Sequence, residues 1–173
     1  EGDDEAIVNW LRKADETNPQ VPNAGVFLVK YYLKKEQPLK ALNVANDLGW
    51  RFPDSPMVLE LLGSTQSAAG EKGNAVRTFQ RLAELRTSAG DYLHLANAQV
   101  ANEDRSGARR SIRKALEIQP DAIRVTLALA TLELKEGNVD EALKLARDGQ
   151  KSQAEFSGGF SMEGAVYEAE GRW

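Results

Sequence analysis

Few side chains in this chain are suited to covalent or acid–base chemistry. The one histidine, His94, stands in Leu93-His94-Leu95-Ala96, an apolar stretch with helical spacing. A Ser-His-Asp arrangement would have to rest on it alone, so a packed, structural role is the expectation. Cysteine is absent, which excludes disulfides, thiolate metal sites and thiol nucleophiles. No glycine-rich loop ends in Lys-Ser/Thr, so the usual phosphate cradle is missing. Neither a metal nor a cofactor is expected, and nor is an enzyme. What the sequence does carry is patterned positive charge. Arg105, Arg109 and Arg113 recur at i, i+4, i+8, with Arg110 and Lys114 alongside. On a helix this places one row of guanidinium groups on a single face, free to pair with acidic neighbours or to contact an acidic polymer.

The elements that would position such residues are bounded by composition. The chain has 173 residues, 42% hydrophobic and 28% charged, which is ordinary globular composition able to bury a core. Its 22 basic and 26 acidic residues give a formal net charge of −4. That balance lacks the basic excess needed to grip phosphate backbones, and aromatic residues do not interleave with the cations, so nucleic acid is not an expected partner. No apolar run approaches the ~18–20 residues needed to cross a bilayer. The first residue is Glu1, with no leader of a charged segment followed by an apolar one, so any targeting segment is expected to have been removed or to lie outside this sequence.

A repeat organises the rest. Ala41, Ala75, Ala108 and Ala142 are spaced 34, 33 and 34 residues apart. Four residues further on stand Ala45, Phe79, Ile112 and Ala146. A parallel series of mostly small residues runs Val29, Gly63, Ala96, Ala130, Gly164. Each period reads as two helices. Ser55 is placed to cap a helix with Pro56 in its first turn. That helix is expected to run to Gly70, with a turn through Gly73 and a second helix from Asn74. Asn138, with Glu141 three residues on, has the spacing of a capping box. Small residues in register allow two helix backbones to approach closely, with a large partner side chain filling the adjacent hollow.

These motifs resemble tetratricopeptide repeats. The family pattern W-x2-L-G-x2-Y followed by A-x3-F and P is matched by Leu59-x2-Leu62-Gly63-x2-Gln66 with Ala75-x3-Phe79. It is matched again by Tyr92-x2-Leu95-Ala96-x2-Gln99 with Ala108-x3-Ile112 and Pro120, and more loosely by Gly25-x2-Leu28-Val29-x2-Tyr32 with Ala41-x3-Ala45 and Pro53. A fourth copy keeps Leu129-Ala130, Gly137, Ala142 and Ala146 without the aromatic residues or the proline. The resemblance implies an all-α, TPR-like right-handed superhelical solenoid of antiparallel helix pairs, forming one array over 1–173. Complete repeats are expected at 22–55, 56–88, 89–122 and 123–156. The segment 1–20 is expected as the second helix of a truncated repeat, and 157–173 as a first helix. The chain thus reads as a slice of a longer array, with Met162, Val166 and Trp173 partly uncovered and self-association possible through open ends.

Within this family the first helices line the concave face, which the resemblance makes the expected seat of a protein or peptide segment. Carried over by repeat position, the candidate groove residues are Lys30, Leu33, Glu60, Ser64, Leu93, Asn97, Arg124, Leu127 and Thr131. Across all the transferred positions, Lys30, Lys34, Arg124 and Lys135 outnumber Glu60 and Glu168, so an extended segment with aliphatic anchors and some acidic character is expected. The two-carboxylate clamp of the family's co-chaperones is not matched. Its lysine position holds Val26, Glu60, Leu93 and Leu127, and its second asparagine position holds Phe27, Leu61, His94 and Ala128. A second candidate surface is convex: Arg77, Arg110 and Lys144 occupy equivalent positions, with Arg109 and Arg113 beside them.

A narrower likeness concerns Leu62-Gly63-Ser64-Thr65-Gln66, Leu143-Lys144-Leu145-Ala146-Arg147 and Gly159-Phe160-Ser161-Met162-Glu163-Gly164. These registers resemble long bacterial repeat lipoproteins of the PEP-CTERM and exosortase system, associated with exopolysaccharide production and surface sorting. That resemblance implies a bacterial periplasm or outer-envelope setting. The lipobox cysteine is absent, so membrane attachment would come only through a lipid anchor outside this segment.

Overall fold

A computed structural model describes residues 2–152 together with Glu163, Gly164 and Tyr167. Among the described residues the secondary structure is helical, without strands, and no helix is long and apolar enough to cross a membrane. The chain divides into two compact units, Glu1–Arg86 and Thr87–Trp173.

The first unit holds α1 (Gly2–Thr17), α2 (Asn23–Lys34), α3 (Pro38–Arg51), α4 (Pro56–Ala68) and α5 (Lys72–Arg86). Helices α2 and α3 pair as one hairpin, α4 and α5 as the next, and α1 packs along α2. The core gathers Leu28, Val29 and Tyr32 of α2, Ala41, Ala45 and Leu48 of α3, and Val58 and Leu62 of α4. Gly63 shows why a small residue is needed in register. A Cβ there would lie 2.8 Å from the ring of Phe79 on the paired helix, so the aromatic ring occupies the hollow that glycine leaves.

The second unit contains α6 (Ala89–Ala101), α7 (Arg105–Ile118), α8 (Ile123–Lys135) and α9 (Val139–Ser152), paired as α6 with α7 and α8 with α9. Its core includes Ala96, Ala108, Ile112, Ala115, Val125 and Leu132. The expected half repeat 157–173, including Met162, Val166 and Trp173, lies outside the described residues apart from the three named above.

Helix ends follow local chemistry. Ser55 caps α4, its Oγ accepting from Val58 N–H at 3.5 Å, and Pro56 opens the helix. Ser88 caps α6 by accepting from Asp91 N–H at 3.2 Å while its own hydroxyl donates to Asp91 Oδ2 at 2.6 Å. Asp104 caps α7, accepting from Gly107 N–H at 2.8 Å, a bond that lowers the pKa of its carboxyl.

Each first helix ends in the same way. Glu36, Gly70, Glu103 and Gly137 all have positive φ, of 55°, 80°, 64° and 81°. The next residue's N–H reaches back five positions in every case: Gln37 to Tyr32, Glu71 to Gln66, Asp104 to Gln99 and Asn138 to Glu133, at 2.8–2.9 Å. This is the Schellman closure of a helix C-terminus. It corrects three sequence expectations. Helix α4 stops at Ala68 because Gly70 turns left-handed, and α5 begins already at Lys72 rather than Asn74. At Asn138 no capping box forms, because its N–H is committed to Glu133 and Glu141 lies 3.6 Å from Lys144.

Candidate functional site

In the first unit the first-helix face contains a cleft of about 310 Å³, bounded by Lys30, Met57, Glu60, Leu61, Ser64 and Arg86. Three of the expected groove residues, Lys30, Glu60 and Ser64, therefore meet in one depression. The backbone explains it: Lys30 on α2 and Ser64 on α4 are register equivalents 34 residues apart on adjacent first helices. Glu60 is engaged by Arg86 at the end of α5, Nη2 to Oε2 at 2.9 Å. Lys30 makes no ion pair among the described residues and remains the available cation of this cleft. Leu33 is not available in the same way, since it is half-buried and packs onto the unit's core.

In the second unit a cleft of about 280 Å³ lies at the starts of α6 and α8, between Gly90, Leu93, Gln119, Asp121 and Arg124. It brings together Leu93 and Arg124. Asn97, Leu127 and Thr131 lie further along the same helices, outside this depression. Asn97 is exposed, Leu127 is half-buried, and the Thr131 hydroxyl donates to the Leu127 carbonyl at 2.8 Å. That hydroxyl is thus already occupied by its own helix. His94 is half-buried within α6.

The arginine row divides between the two arrangements expected of it, pairing with acidic neighbours and standing exposed. Arg109 does not stand free: its Nε and Nη2 donate to the two carboxylate oxygens of Glu133 at 2.9 and 3.0 Å, and Nη2 also reaches Glu136. Glu133 is buried and additionally accepts from Asn138 Nδ2 at 2.7 Å. The guanidinium lowers the Glu133 pKa, and the two glutamates raise that of Arg109. Arg109 therefore belongs to the packing of α7 on α8 and is withdrawn from the candidate surface. Arg77 donates to Asn74 within its own helix. Lys144 lies 3.6 Å from Glu141, whereas Arg110 and Arg113 are exposed and form no ion pair among the described residues.

Two features escaped the sequence reading. Arg86 sits 26 residues from its partner Glu60, beyond any helical spacing rule. The other is a polar position buried inside the hairpins. Gln66 Oε1 accepts from Thr78 at 2.7 Å, and Gln99 Oε1 accepts from Ser111 at 2.7 Å, each between the two helices of a pair. Tyr32, Gln66, Gln99 and Glu133 share one register. The signal was present in the spacing, but nothing in the spacing named the bonding partner. Among the described residues no cluster of His, Asp or Glu could hold a metal ion.

No known family model matches the chain. A curated relative is human Tetratricopeptide repeat protein 21B, 24% identical over 182 aligned positions that take in 90% of this chain but only 14% of the human protein. Among solved structures, a tetratricopeptide repeat protein from Parabacteroides merdae superposes with a TM-score of 0.84 at 18% identity, over 99% of this chain and 68% of that one. YrrB, described as a TPR protein with an unusual peptide-binding site, superposes with a TM-score of 0.66 at 15% identity, over 94% of this chain and 84% of its own.

Proposed function

The chain has the tetratricopeptide-repeat fold, and on that premise we propose that it is a non-catalytic interaction scaffold whose first-helix face binds an extended or helical protein segment. One observation carries the reading. The cleft of the first unit sets the available cation Lys30 against apolar Met57 and Leu61, with Glu60 already neutralised by Arg86. Such a surface favours a peptide with an acidic group between aliphatic side chains. YrrB, of the same fold, is described as having a peptide-binding site, which supports a peptide as the ligand class. In the second unit Leu93 and Arg124 offer the same pairing of an apolar contact with a cation.

The test is selection from a displayed library of extended peptides. Enriched sequences should combine acidic and aliphatic residues, and Lys30→Glu should weaken their binding by ~1–3 kcal/mol, the range of interface hot spots. Replacing Leu93 with Ala and Arg124 with Glu tests the second unit in the same way. Unbiased enrichment, or affinity indifferent to all three substitutions, would sink the proposal.

The resemblance to PEP-CTERM-system lipoproteins supports placing this scaffold in a bacterial envelope, within exopolysaccharide or surface-sorting machinery, any lipid anchor lying outside this segment. A second reading rests on Arg110 and Arg113, exposed on α7 and without ion pairs among the described residues: contact with an acidic polysaccharide. It requires salt-sensitive retention on alginate that Arg110→Ala with Arg113→Ala abolishes.

A further inference from the structure

Helix α3 carries an outward row that its register equivalents do not share. Leu39, Asn43, Asn46 and Trp50 are spaced 4, 3 and 4 residues apart, which aligns them on one face. All four are exposed, Leu39 at 68% and Trp50 at 83%. Where α3 has Trp50, helices α1, α5 and α7 have Glu16, Glu84 and Glu117. Where it has Asn46, α1 and α7 have Arg12 and Arg113. These equivalents are exposed too, and α3 itself is packed on both α2 and α4. The face therefore points outward in these repeats and is no seat for a helix of the array. On α3 alone of the four it is uncharged and bears two large apolar side chains.

We propose that this row is the contact surface for a second copy of the chain, the two α3 helices packing antiparallel about a twofold axis. The row is self-complementary. Reversing one helix about the point between Asn43 and Asn46 sets Leu39 against Trp50 of the second copy and Asn43 against its Asn46, and each contact occurs twice. The alternating spacing is that of a coiled-coil seam. Neither asparagine side chain has a hydrogen-bond partner among the described residues, and each amide offers both a donor and an acceptor, so facing amides bond reciprocally. Charge selects the same register. Lys40 and Asp47 are exposed and stand seven residues apart on one flank of the seam, so reversal brings each against the other. Lys40 makes no ion pair among the described residues. The Asp47 carboxylate lies 2.8 Å from Arg51 Nε yet is 59% exposed, which leaves it open to a second cation. In a parallel pair that flank would meet the opposite one, where Leu42 and Gly49 stand, and neither charge would gain a partner.

Sedimentation velocity of the whole chain, from micromolar to millimolar concentration, tests this. The mass should rise from one chain to two and stop there, because a twofold contact closes on itself. Trp50→Glu installs the residue that α1, α5 and α7 carry at this place. It should weaken association at least about tenfold while leaving the helical circular dichroism unchanged. Lys40→Asp and Asp47→Lys should each weaken association alone, whereas an equimolar mixture of the two should recover dimers, since only the mixed pair sets unlike charges across the flank. The chain has no cysteine, so register can be read by oxidation: Asn43→Cys and Asn46→Cys chains should link when mixed, and neither should link to itself. A mass of one chain at millimolar concentration overturns the proposal. So does association that Trp50→Glu leaves intact, which would place the contact on another surface, or a charge-variant mixture no better than its components. Self-linking of either cysteine variant overturns the antiparallel register.

Discussion

Arg109 of α7 and Glu133 of α8 face each other in parallel, Nε to Oε1 at 2.9 Å and Nη2 to Oε2 at 3.0 Å, and so join two hairpins by a bidentate ion pair. The carboxylate side chain is only 9% exposed, so removing its partner leaves a charge with little water. Arg109→Ala should cost about 2–4 kcal/mol of stability, and Arg109→Lys most of the same, because an ammonium cannot match both oxygens. Urea unfolding checks this. A double-mutant cycle with Glu133→Gln should return a coupling well above the few tenths of a kcal/mol expected for an exposed pair.

The same pair sets an acid response. The Arg109 guanidinium, with Asn138, holds the Glu133 carboxyl below its ordinary value of 4.5. A depressed folded-state value stabilises the fold in full above the ordinary value, and that contribution is lost as pH falls through the folded one. Melting temperature should therefore drop more steeply below pH 4.5 in the native chain than in Glu133→Gln. Parallel curves for the two would refute this assignment.

Left-handed turns close the four first helices found among the described residues, yet two of them use glutamate. A non-glycine residue in that conformation costs roughly 1–2 kcal/mol, offset in part by glycine's larger entropy loss on folding. Glu36→Gly and Glu103→Gly should each stabilise the chain by about 0.5–1 kcal/mol, whereas Gly70→Ala and Gly137→Ala should destabilise it by a similar amount. Thermal melts of the four variants would show the opposite signs.

Gly63 should tolerate no side chain. Its Cβ would lie 2.8 Å from the Phe79 ring, and that ring is itself buried. Gly63→Ala should cost about 1–3 kcal/mol, with partial recovery on adding Phe79→Leu. Recovery absent in denaturant titrations would mean that the strain lies elsewhere.

Tyr31 donates to Asp4 Oδ1 at 2.6 Å, and this bond raises its phenol to about 12. Ultraviolet titration should show one of the chain's four tyrosines ionising late, and Asp4→Asn should bring it back toward 10. A native titration curve with no late component would contradict the bond.

How far the sequence could be read depended on whether a feature was local. The helix pairs followed from Ala75, Phe79 and their equivalents, because close helix packing imposes small and large residues at fixed intervals. Ser55 with Pro56 marked a helix start for the same local reason. Asn138 misled, since the backbone closure of the preceding helix takes its N–H before a cap can use it. Repeat position grouped Lys30, Glu60 and Ser64, and the three line one cleft, because register equivalents on adjacent first helices lie side by side. Arg109 was grouped with the exposed cations while pairing with acidic neighbours was left open; its partners lie 24 and 27 residues away, on α8 and just past its end, and no periodicity names them.

The polar register inside the hairpins makes these repeats non-interchangeable. Gln66 and Gln99 find their partners, Thr78 and Ser111, within their own hairpins, so either pair of helices carries its bond wherever it is placed. Glu133 depends on a guanidinium from the hairpin before it, and the position matching Thr78 in its own second helix is Leu145. A chimera that moves α8 and α9 behind the α4–α5 hairpin would set Val76 where Arg109 stood and strand a buried carboxylate. The order of these hairpins is thus written into the chemistry of one interior position, and recombination that separates α8 from α7 is penalised there.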